Sequence, residues 1–268
     1  MALEQGGEER LSDQEVERYS RQLILDGVGE AGQRKLAEAR VLVVGAGALG
    51  APVIQYLAGA GVGRLEIWDG DRVELSNLAR QPVHGDDDLG SSKAESATRA
   101  ARRINGAVDV VAVSRRMQAE EVGAVVIPQT VVCDATDDFE IKFALNDACV
   151  AAGVPLVHAA ILEYGGQLTS VVPGGPCLRC LFGAPPAPGE VPTCAQAGIL
   201  GPVAAVVGGM QAVETLKLVL GVGEPLSGRL LVYDALRPRA RTVDFPIDLS
   251  CAAPHPRRPA NQQELQQI

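Results

Sequence analysis

The run Val41-Leu42-Val43-Val44, followed by Gly45-Ala46-Gly47-Ala48-Leu49-Gly50, constrains this chain more than any other stretch. An unbroken apolar run that ends in glycine reads as a strand buried on both faces, and the apolar-periodic residues 51–60 read as a helix. Strand, tight turn and helix in that order begin a βαβ unit. Glycine at Gly45 and Gly47 lets the backbone turn sharply and lets a ligand come close, while Gly50 lets the helix pack on the strand. The helix N-terminus offers unpaired N–H groups and a partial positive charge, so the turn suits phosphate. An acidic residue able to hold a ribose hydroxyl follows the second strand, in Leu65-Glu66-Ile67-Trp68-Asp69. The turn and Asp69 together are a nucleotide-binding fingerprint, although a turn that serves only helix–strand packing has the same glycines.

The rest of the chain extends this beginning. Ser12-Asp13-Gln14-Glu15 is a capping-box pattern that opens a helix through Arg18, Tyr19 and Arg21, and a second helix covers about residues 30–39. Polar and turn residues fill 71–90, a loop placed to carry ligand contacts. Ser91-Ser92-Lys93 opens a helix to about Ile104; strands follow at 108–113 and 130–134, a helix at 139–152 and a strand at 155–158. This alternation predicts an α/β, Rossmann-like, mostly parallel sheet with helices on both faces. Ligands of such sheets lie beyond the carboxyl ends of the strands, where Asp69 and Asp137 fall. After Ala160 the pattern changes. Residues 167–172 alternate as a strand, 173–192 form a long crossing loop rich in Pro, Gly and Cys, and a long helix spans about 202–220. Strands at 229–234 and 241–245 then add an antiparallel C-terminal part. The 268 residues fit a single domain, with flexible ends at about 1–11 and 254–268.

Composition excludes several classes. With 3% aromatic residues the core is built from Ala, Val, Leu and Ile, and a net charge of −9 argues against non-specific binding to nucleic acid or anionic membranes. No apolar run is long enough and free enough of Gly, Pro and charge to span a bilayer, and the N-terminus is acidic, so a soluble cytoplasmic protein is expected. Cys133 and Cys149 stand in apolar contexts and read as small core residues. Cys177 and Cys180 have the spacing of half a zinc knuckle. For Tyr164, His158 and His84 the sequence names no partner.

Further motifs carry a specific resemblance: Arg18-Tyr19-Ser20-Arg21-Gln22, the glycine turn, Trp68-Asp69-Gly70-Asp71, Ser76-Asn77-Leu78-Ala79-Arg80-Gln81, Lys93, Asp134-Ala135-Thr136-Asp137-Asp138, Asn146-Asp147-Ala148-Cys149, Cys177-Leu178-Arg179-Cys180 and Cys194-Ala195-Gln196-Ala197-Gly198. In this order, from Arg18 to about Asp234, the chain resembles the MoeB/ThiF/HesA family, bacterial relatives of the ubiquitin-activating enzymes. The resemblance implies ATP-dependent adenylation of the C-terminal glycine of a ubiquitin-like sulfur-carrier protein ending in Gly-Gly, with release of pyrophosphate. It implies that Asp69 holds the ribose, that Asn77, Arg80 and Lys93 approach the phosphates, that Asp137 binds Mg²⁺, and that Arg21 comes from the other subunit of a homodimer. An anion must attack a polyanion in this reaction, so positioned cations and a metal must neutralise the accumulating charge. Arg21, Arg80 and Lys93 supply the cations, and Lys93 is one of only four lysines in the chain. Taken singly, each is also a common solvated surface charge, and Asp137 alone is also a common helix cap.

Three positions depart from or qualify the resemblance. Asp138 stands where the family usually has asparagine; the added carboxylate either strengthens metal binding or repels the phosphates. Relatives complete the zinc knuckle with a second cysteine pair near the C-terminus. Here Cys251 has only Pro254 where the fourth ligand should fall, with His255 next to it, so the choices are a Cys₃His zinc site and a degenerate site held by packing. Several relatives use a cysteine at the position of Cys194 to form a thioester or persulfide with the activated carrier, and others carry it without needing it. The chain leaves no room for a C-terminal rhodanese-like domain, which implies a separate sulfur donor. The carrier is expected to dock on exposed apolar sheet positions and the crossing loop. The alternatives are adenylation of another carboxylate or of a modified tRNA base, an NAD-dependent oxidoreductase that shares the turn and Asp69, and a silent binding module.

Overall fold

A computed structural model describes residues 10–255, apart from residues 188, 192, 193 and 238 and the side chains of residues 194 and 195. Most of the two ends expected to be flexible lies outside the described residues. The capping box forms: Ser12 Oγ accepts from the Glu15 amide at 3.3 Å, the Glu15 carboxylate accepts from the Ser12 amide at 2.8 Å, and α1 (Asp13–Leu23) starts there. The chain continues through α2 (Gly29–Glu38), β1 (Arg40–Val44), α3 (Gly50–Ala60), β2 (Arg64–Trp68), α4 (Lys93–Ile104) and β3 (Asp109–Val113). Then come α5 (Val122–Val126), β4 (Val131–Asp134), α6 (Phe139–Ala152), β5 (Leu156–Leu162), β6 (Gly165–Val171), α7 (Leu178–Phe182), α8 (Cys194–Ala197), α9 (Gly201–Leu220), β7 (Arg229–Asp234) and β8 (Arg239–Asp244).

These strands make one eight-stranded sheet in the order β3-β2-β1-β4-β5-β6-β7-β8. Neighbours from β3 to β5 run parallel, and those from β5 to β8 antiparallel. The strand alternation divides the interior into two cores. Val41, Val43, Leu65, Ile67, Val131, Cys133 and Val157 face one layer with residues of α2, α3, α4 and α9. Leu42, Val44, Trp68, Val132 and Leu156 face the other with residues of α5, α6 and α7. Strand order reverses between β1 and β4, so the crevice beyond their carboxyl ends is the topological switch point where such sheets bind ligands. The α/β, mostly parallel, Rossmann-like architecture with an antiparallel C-terminal extension is the one the sequence predicts.

Some elements differ from the sequence expectation. The strand expected to stop at His158 runs on to Leu162 and folds back through Glu163 and Tyr164 into β6. Ala159-Ala160-Ile161-Leu162 has no alternation to mark a strand, and only pairing with β6 makes it one. The crossing region is not bare loop, since α7 and α8 lie in it or just after it. Helix α9 is long and apolar enough to cross a membrane by length and composition, with a mean hydropathy of 1.5, although it carries the Gly, Pro and charge that the sequence reading counted against a span, and half of the stretch is buried inside the protein. It packs on α3 and on β4, β5 and β6, which explains its apolar surface as core.

Close packing of α9 on α3 depends on a missing side chain. A Cβ at Gly208 would stand 2.4 Å from Pro52 Cγ and 2.7 Å from the Leu49 carbonyl oxygen, whereas one at Gly209 meets nothing within 4 Å. Gly208→Ala is therefore expected to lower unfolding stability by about 1–3 kcal/mol through overpacking. Gly209→Ala should be neutral or stabilising by up to ~1 kcal/mol from helix propensity. Urea unfolding of the two variants checks the contrast.

Candidate active site

The glycine turn closes against the end of β4. Gly45 has φ +100°, and a Cβ there would lie 2.5 Å from the Ala135 carbonyl oxygen; one on Gly50 would lie 1.9 Å from the Gly45 oxygen. Both are glycine because the turn, the helix and the β4 end meet without room for a side chain. Gly47 differs: its Cβ would meet only Gln81 Nε2, at an ordinary 3.6 Å. Packing does not demand glycine there, so the space above the turn is open to a ligand. Helix α3 has no side-chain cap; the Ala51 amide donates to the Gly47 oxygen at 2.9 Å and Pro52 has no N–H, so the amides available to an anion are those of the turn up to Gly50.

Asp69 braces the turn from β2. Its Oδ2 accepts from the Ala46 amide and its Oδ1 from the Asp71 amide, both at 2.8 Å, and each oxygen retains a lone pair for a hydroxyl. Burial raises the Asp69 carboxyl above its usual range, and these two amides and Lys93 oppose that shift. Lys93 is buried at the start of α4 with Nζ 3.1 Å from Asp71 Oδ2. Partial burial works against ionisation of Asp71, but Lys93 and then Arg116 hold its carboxyl below the usual range. Lys93 thus sits within the cluster that contains Asp69 and the glycine turn. Buried Asn77 accepts at Oδ1 from the Glu74 amide at 3.1 Å, and Arg80 folds onto the Ser76 carbonyl at 2.7 Å. The start of α9 presses on this loop, since a Cβ on Gly201 would stand 2.6 Å from the Ala79 oxygen.

Asp137 follows Ala135 and Thr136 beyond β4, beside the turn that Gly45 packs against. It is exposed and makes no hydrogen bond or ion pair among the described residues. The cap of α6 is Asp138, whose Oδ1 accepts from the Ile141 amide at 3.2 Å. That divides the two roles considered for Asp137: the cap goes to Asp138, and Asp137 keeps a free carboxylate.

Beneath these residues lies a buried ionic cluster that the sequence reading missed. Lys142 Nζ is 3.0 Å from both oxygens of Asp134 and from the Ala159 carbonyl, and His158 Nδ1 is 2.6 Å from Asp134 Oδ2. Gln211 Nε2 donates to the main-chain oxygens of Asp134 at 2.8 Å and Val157 at 2.9 Å. Burial opposes ionisation of Asp134, but Lys142 and His158 outweigh it and hold the carboxyl low; burial and then Lys142 push His158 down, toward its neutral form. One signal was legible: a lysine set between the apolar Ile141 and Phe143 of α6.

Two of the expected kinds of cysteine are visible in the structure, the core residues and the knuckle pair. Cys133 and Cys149 are buried, and burial pushes the Cys133 thiol up to about 12. Cys177, Cys180, Cys251 and His255 converge, with their donor atoms within 4.8 Å of one another. Cys177 Sγ lies 3.9 Å from Cys180 Sγ and 3.7 Å from Cys251 Sγ, and Cys180 Sγ lies 3.4 Å from His255 Nε2. A tetrahedral zinc with bonds of about 2.3 Å to sulfur and about 2.0–2.1 Å to nitrogen separates its donors by about 3.5–3.8 Å, so the donor set fits that ion. Asn146 and Asp147 fix the knuckle helix: Asn146 Oδ1 accepts from the Leu178 amide at 2.8 Å, and Arg179 bonds both oxygens of Asp147. Cys194 begins α8. The chain after it is tied to the β5–β6 tip, where the Glu163 amide donates to the Gly198 oxygen at 2.9 Å and the Leu200 amide to the Glu163 oxygen at 3.1 Å.

Arg21 is exposed in the last turn of α1. Its neighbours in sequence attach to the far end of α3: Gln22 Nε2 donates to the Ala60 oxygen at 2.9 Å, and the Tyr19 hydroxyl abuts Gly61. The glycine turn is at the opposite end of that helix, whose 11 residues span roughly 16 Å.

The fold and this turn define a nucleotide-binding α/β protein. Residues 19–252 match the ThiF family, and the chain belongs to it. It is 51% identical over 237 residues to the SAMP-activating enzyme E1 of Haloferax volcanii, covering 88% of each chain. It is 46% identical over 240 residues to the sulfur carrier protein adenylyltransferase of Thermus thermophilus, covering 87% of this chain and 89% of that one. To the adenylyltransferase and sulfurtransferase MOCS3 of Mus musculus it is 49% identical over 234 residues, spanning only 51% of that relative's length. Among solved structures, E. coli MccB shares the fold with a TM-score of 0.79 at 22% identity, over 94% of this chain and 75% of that one.

Removing one member of a buried ion pair leaves the other uncompensated. Lys142→Met is expected to lower stability by about 3 kcal/mol or more, read by equilibrium denaturation.

Proposed function

We propose that this chain adenylates the C-terminal glycine of a ubiquitin-like sulfur-carrier protein. The observation that carries the reading is the junction of the glycine turn, Asp69, the Asp71–Lys93 pair and free Asp137 at the switch point of a ThiF-family sheet. The relatives at 46% and 51% identity, matched over nearly their whole length and named as enzymes of this kind, support it. A carboxylate oxygen of the carrier attacks the α-phosphorus of ATP, the bond to the β-phosphate breaks, and pyrophosphate leaves. Asp69 holds the ribose, the amides of the turn from Gly47 to Gly50 receive the phosphates, Asn77 hydrogen-bonds them, and Arg80 and Lys93 neutralise charge. Asp137 is the ligand for Mg²⁺, which adds positive charge at the phosphates. The enzyme draws on cytoplasmic ATP in this reading.

The same reading makes the enzyme a homodimer. Arg21 belongs to a helix end held at the far side of α3, beyond the reach of its own turn, so the arginine that serves the site comes from the second copy. The carrier's tail approaches along the crossing loop. Cys194 follows as the acceptor of the activated carrier: its sulfur bonds the glycyl carbon, AMP leaves, and a separate donor supplies sulfur.

Pyrophosphate exchange into ATP, with Mg²⁺ and a panel of Gly-Gly-ended carriers, tests the reaction. Exchange with one carrier is expected, and Arg80→Ala or Asp137→Ala should each reduce it by ~10²-fold or more. Cys194→Ala should leave exchange intact. Full exchange in both charge variants removes the site assignment, and ATP binding without exchange for any carrier favours another carboxylate substrate. Tight NAD binding without ATP binding would return the turn to the oxidoreductases.

Zinc in the Cys177–Cys180–Cys251–His255 site is structural in this proposal, tying α7 to the segment after β8. The purified protein should carry stoichiometric zinc by elemental analysis, and Cys251→Ser should lose both zinc and several degrees of melting temperature. A metal-free wild type of full stability would instead mean a degenerate site.

A further inference from the structure

We infer that His84 is a positioning residue for the nucleotide, acting through the Ala46 carbonyl to hold the glycine turn in the shape that receives phosphate. The inference rests on the adenylation reading for its readout, though the hydrogen bonds that motivate it do not. His84 is buried between the turn and α4, with Nε2 3.0 Å from the Ala46 oxygen and Nδ1 2.8 Å from Ser96 Oγ. A carbonyl only accepts, so Nε2 carries the proton; Nδ1 of the neutral ring then accepts from the Ser96 hydroxyl. Burial pushes His84 down, in keeping with that neutral form.

The contact matters because of which peptide it grips. Ala46 lies between two glycines; the Gly45 amide donates to the Trp68 oxygen at 2.8 Å and the Gly47 oxygen accepts from the Ala51 amide at 2.9 Å, which leaves the Ala46 oxygen and the Gly47 amide without a main-chain partner among the described residues. Asp69 holds the Ala46 N–H at 2.8 Å and thereby the 45–46 peptide. His84 holds the Ala46 oxygen and thereby the 46–47 peptide. A trans peptide is planar, with its N–H directed opposite its C=O, so fixing the Ala46 oxygen also fixes where the Gly47 amide points. Gly47 is the glycine whose Cα faces open space, and its amide is the first of those available to a phosphate. Two successive peptides are thus locked from opposite sides, by a carboxylate from β2 and an imidazole anchored to α4. Without the second lock the nucleotide must order the turn as it binds, and affinity falls by that cost.

Side chains that replace one ring nitrogen at a time separate this role from simple core filling. Gln at this position presents an amide N–H near the place of Nε2 and can serve the Ala46 oxygen; Asn reaches only the place of Nδ1 and Ser96. His84→Asn is expected to raise the KM for ATP and the Kd measured by calorimetry by about tenfold, the worth of one hydrogen bond, with kcat little changed. His84→Gln should return both to within about threefold of wild type. Ser96→Ala, which keeps the fold of α4 and frees the ring to turn, should weaken ATP by about threefold and covers the case in which His84→Asn does not fold. Wild-type affinity in His84→Asn or Ser96→Ala, or equal losses in His84→Asn and His84→Gln that follow their melting temperatures, would overturn the inference. A wild type that binds ATP but exchanges with no carrier fails the adenylation reading alone, because calorimetry still measures the His84 effect. A wild type that binds no ATP overturns both.

Discussion

The contact between the glycine turn and the end of β4 is the constraint on which the site depends. Gly45, in a left-handed backbone conformation, lies against the Ala135 carbonyl, and Gly50 lies against Gly45. That backbone-on-backbone packing brings the phosphate-receiving turn next to the segment that carries Asp137. It also requires β1 and β4 to be neighbours, which is the strand reversal of a doubly wound sheet. A side chain on Gly45 would force the turn away from the end of β4, and one on Gly50 would force α3 away from the turn.

Around that contact, Asp69, Arg80 and Lys93 each have a partner that limits where they can go, and Asp137 is left without one among the described residues. Asp69 is spent on two amides of its own neighbourhood before any ribose arrives, and Lys93 is held by Asp71. Such preorganisation suits a reaction that consists mainly of placing cations around phosphate, since groups already ordered need not be reorganised as charge develops. The buried Asp134–Lys142–His158 cluster serves the same end from below. It fixes the carboxyl end of β4 against the middle of β5 through buried groups that bond one another. A buried cluster of this kind adds little net stability, but it tolerates only one arrangement of the two strands.

The zinc-like knuckle and the crossing segment form the opposite wall. Asn146 and Asp147 hold α7, His255 comes from the segment after β8, and the chain after α8 is stitched to the β5–β6 tip. His158 lies edge-on to Phe182 of α7, with ring centroids 6.4 Å apart, so this wall touches the ionic cluster directly. The antiparallel extension is therefore part of the site's architecture, since it anchors the segment that carries Cys194.

The sequence by itself determined the frame. An apolar run ending in Gly45, an acidic residue after the next strand and a strand–helix alternation leave few topologies open, because parallel strands need helical crossovers on the faces. Local spacing marked the Cys177–Cys180 pair, and the family resemblance marked Arg80, Lys93 and Asp137. Tertiary structure alone decided the rest. His84 and His158 had no legible partner because Ala46 is 38 residues from one and Asp134 is 24 from the other. The fourth knuckle donor, His255, stands 75 residues from Cys180, and no periodicity records that separation. Helix α9 is apolar enough by length and composition to cross a membrane, and the cover of three strands and α3 makes half of it core. Hydrophobic pattern is a local property of a helix or strand, whereas hydrogen-bond partners and donor sets are set by which strand ends the sheet order brings together.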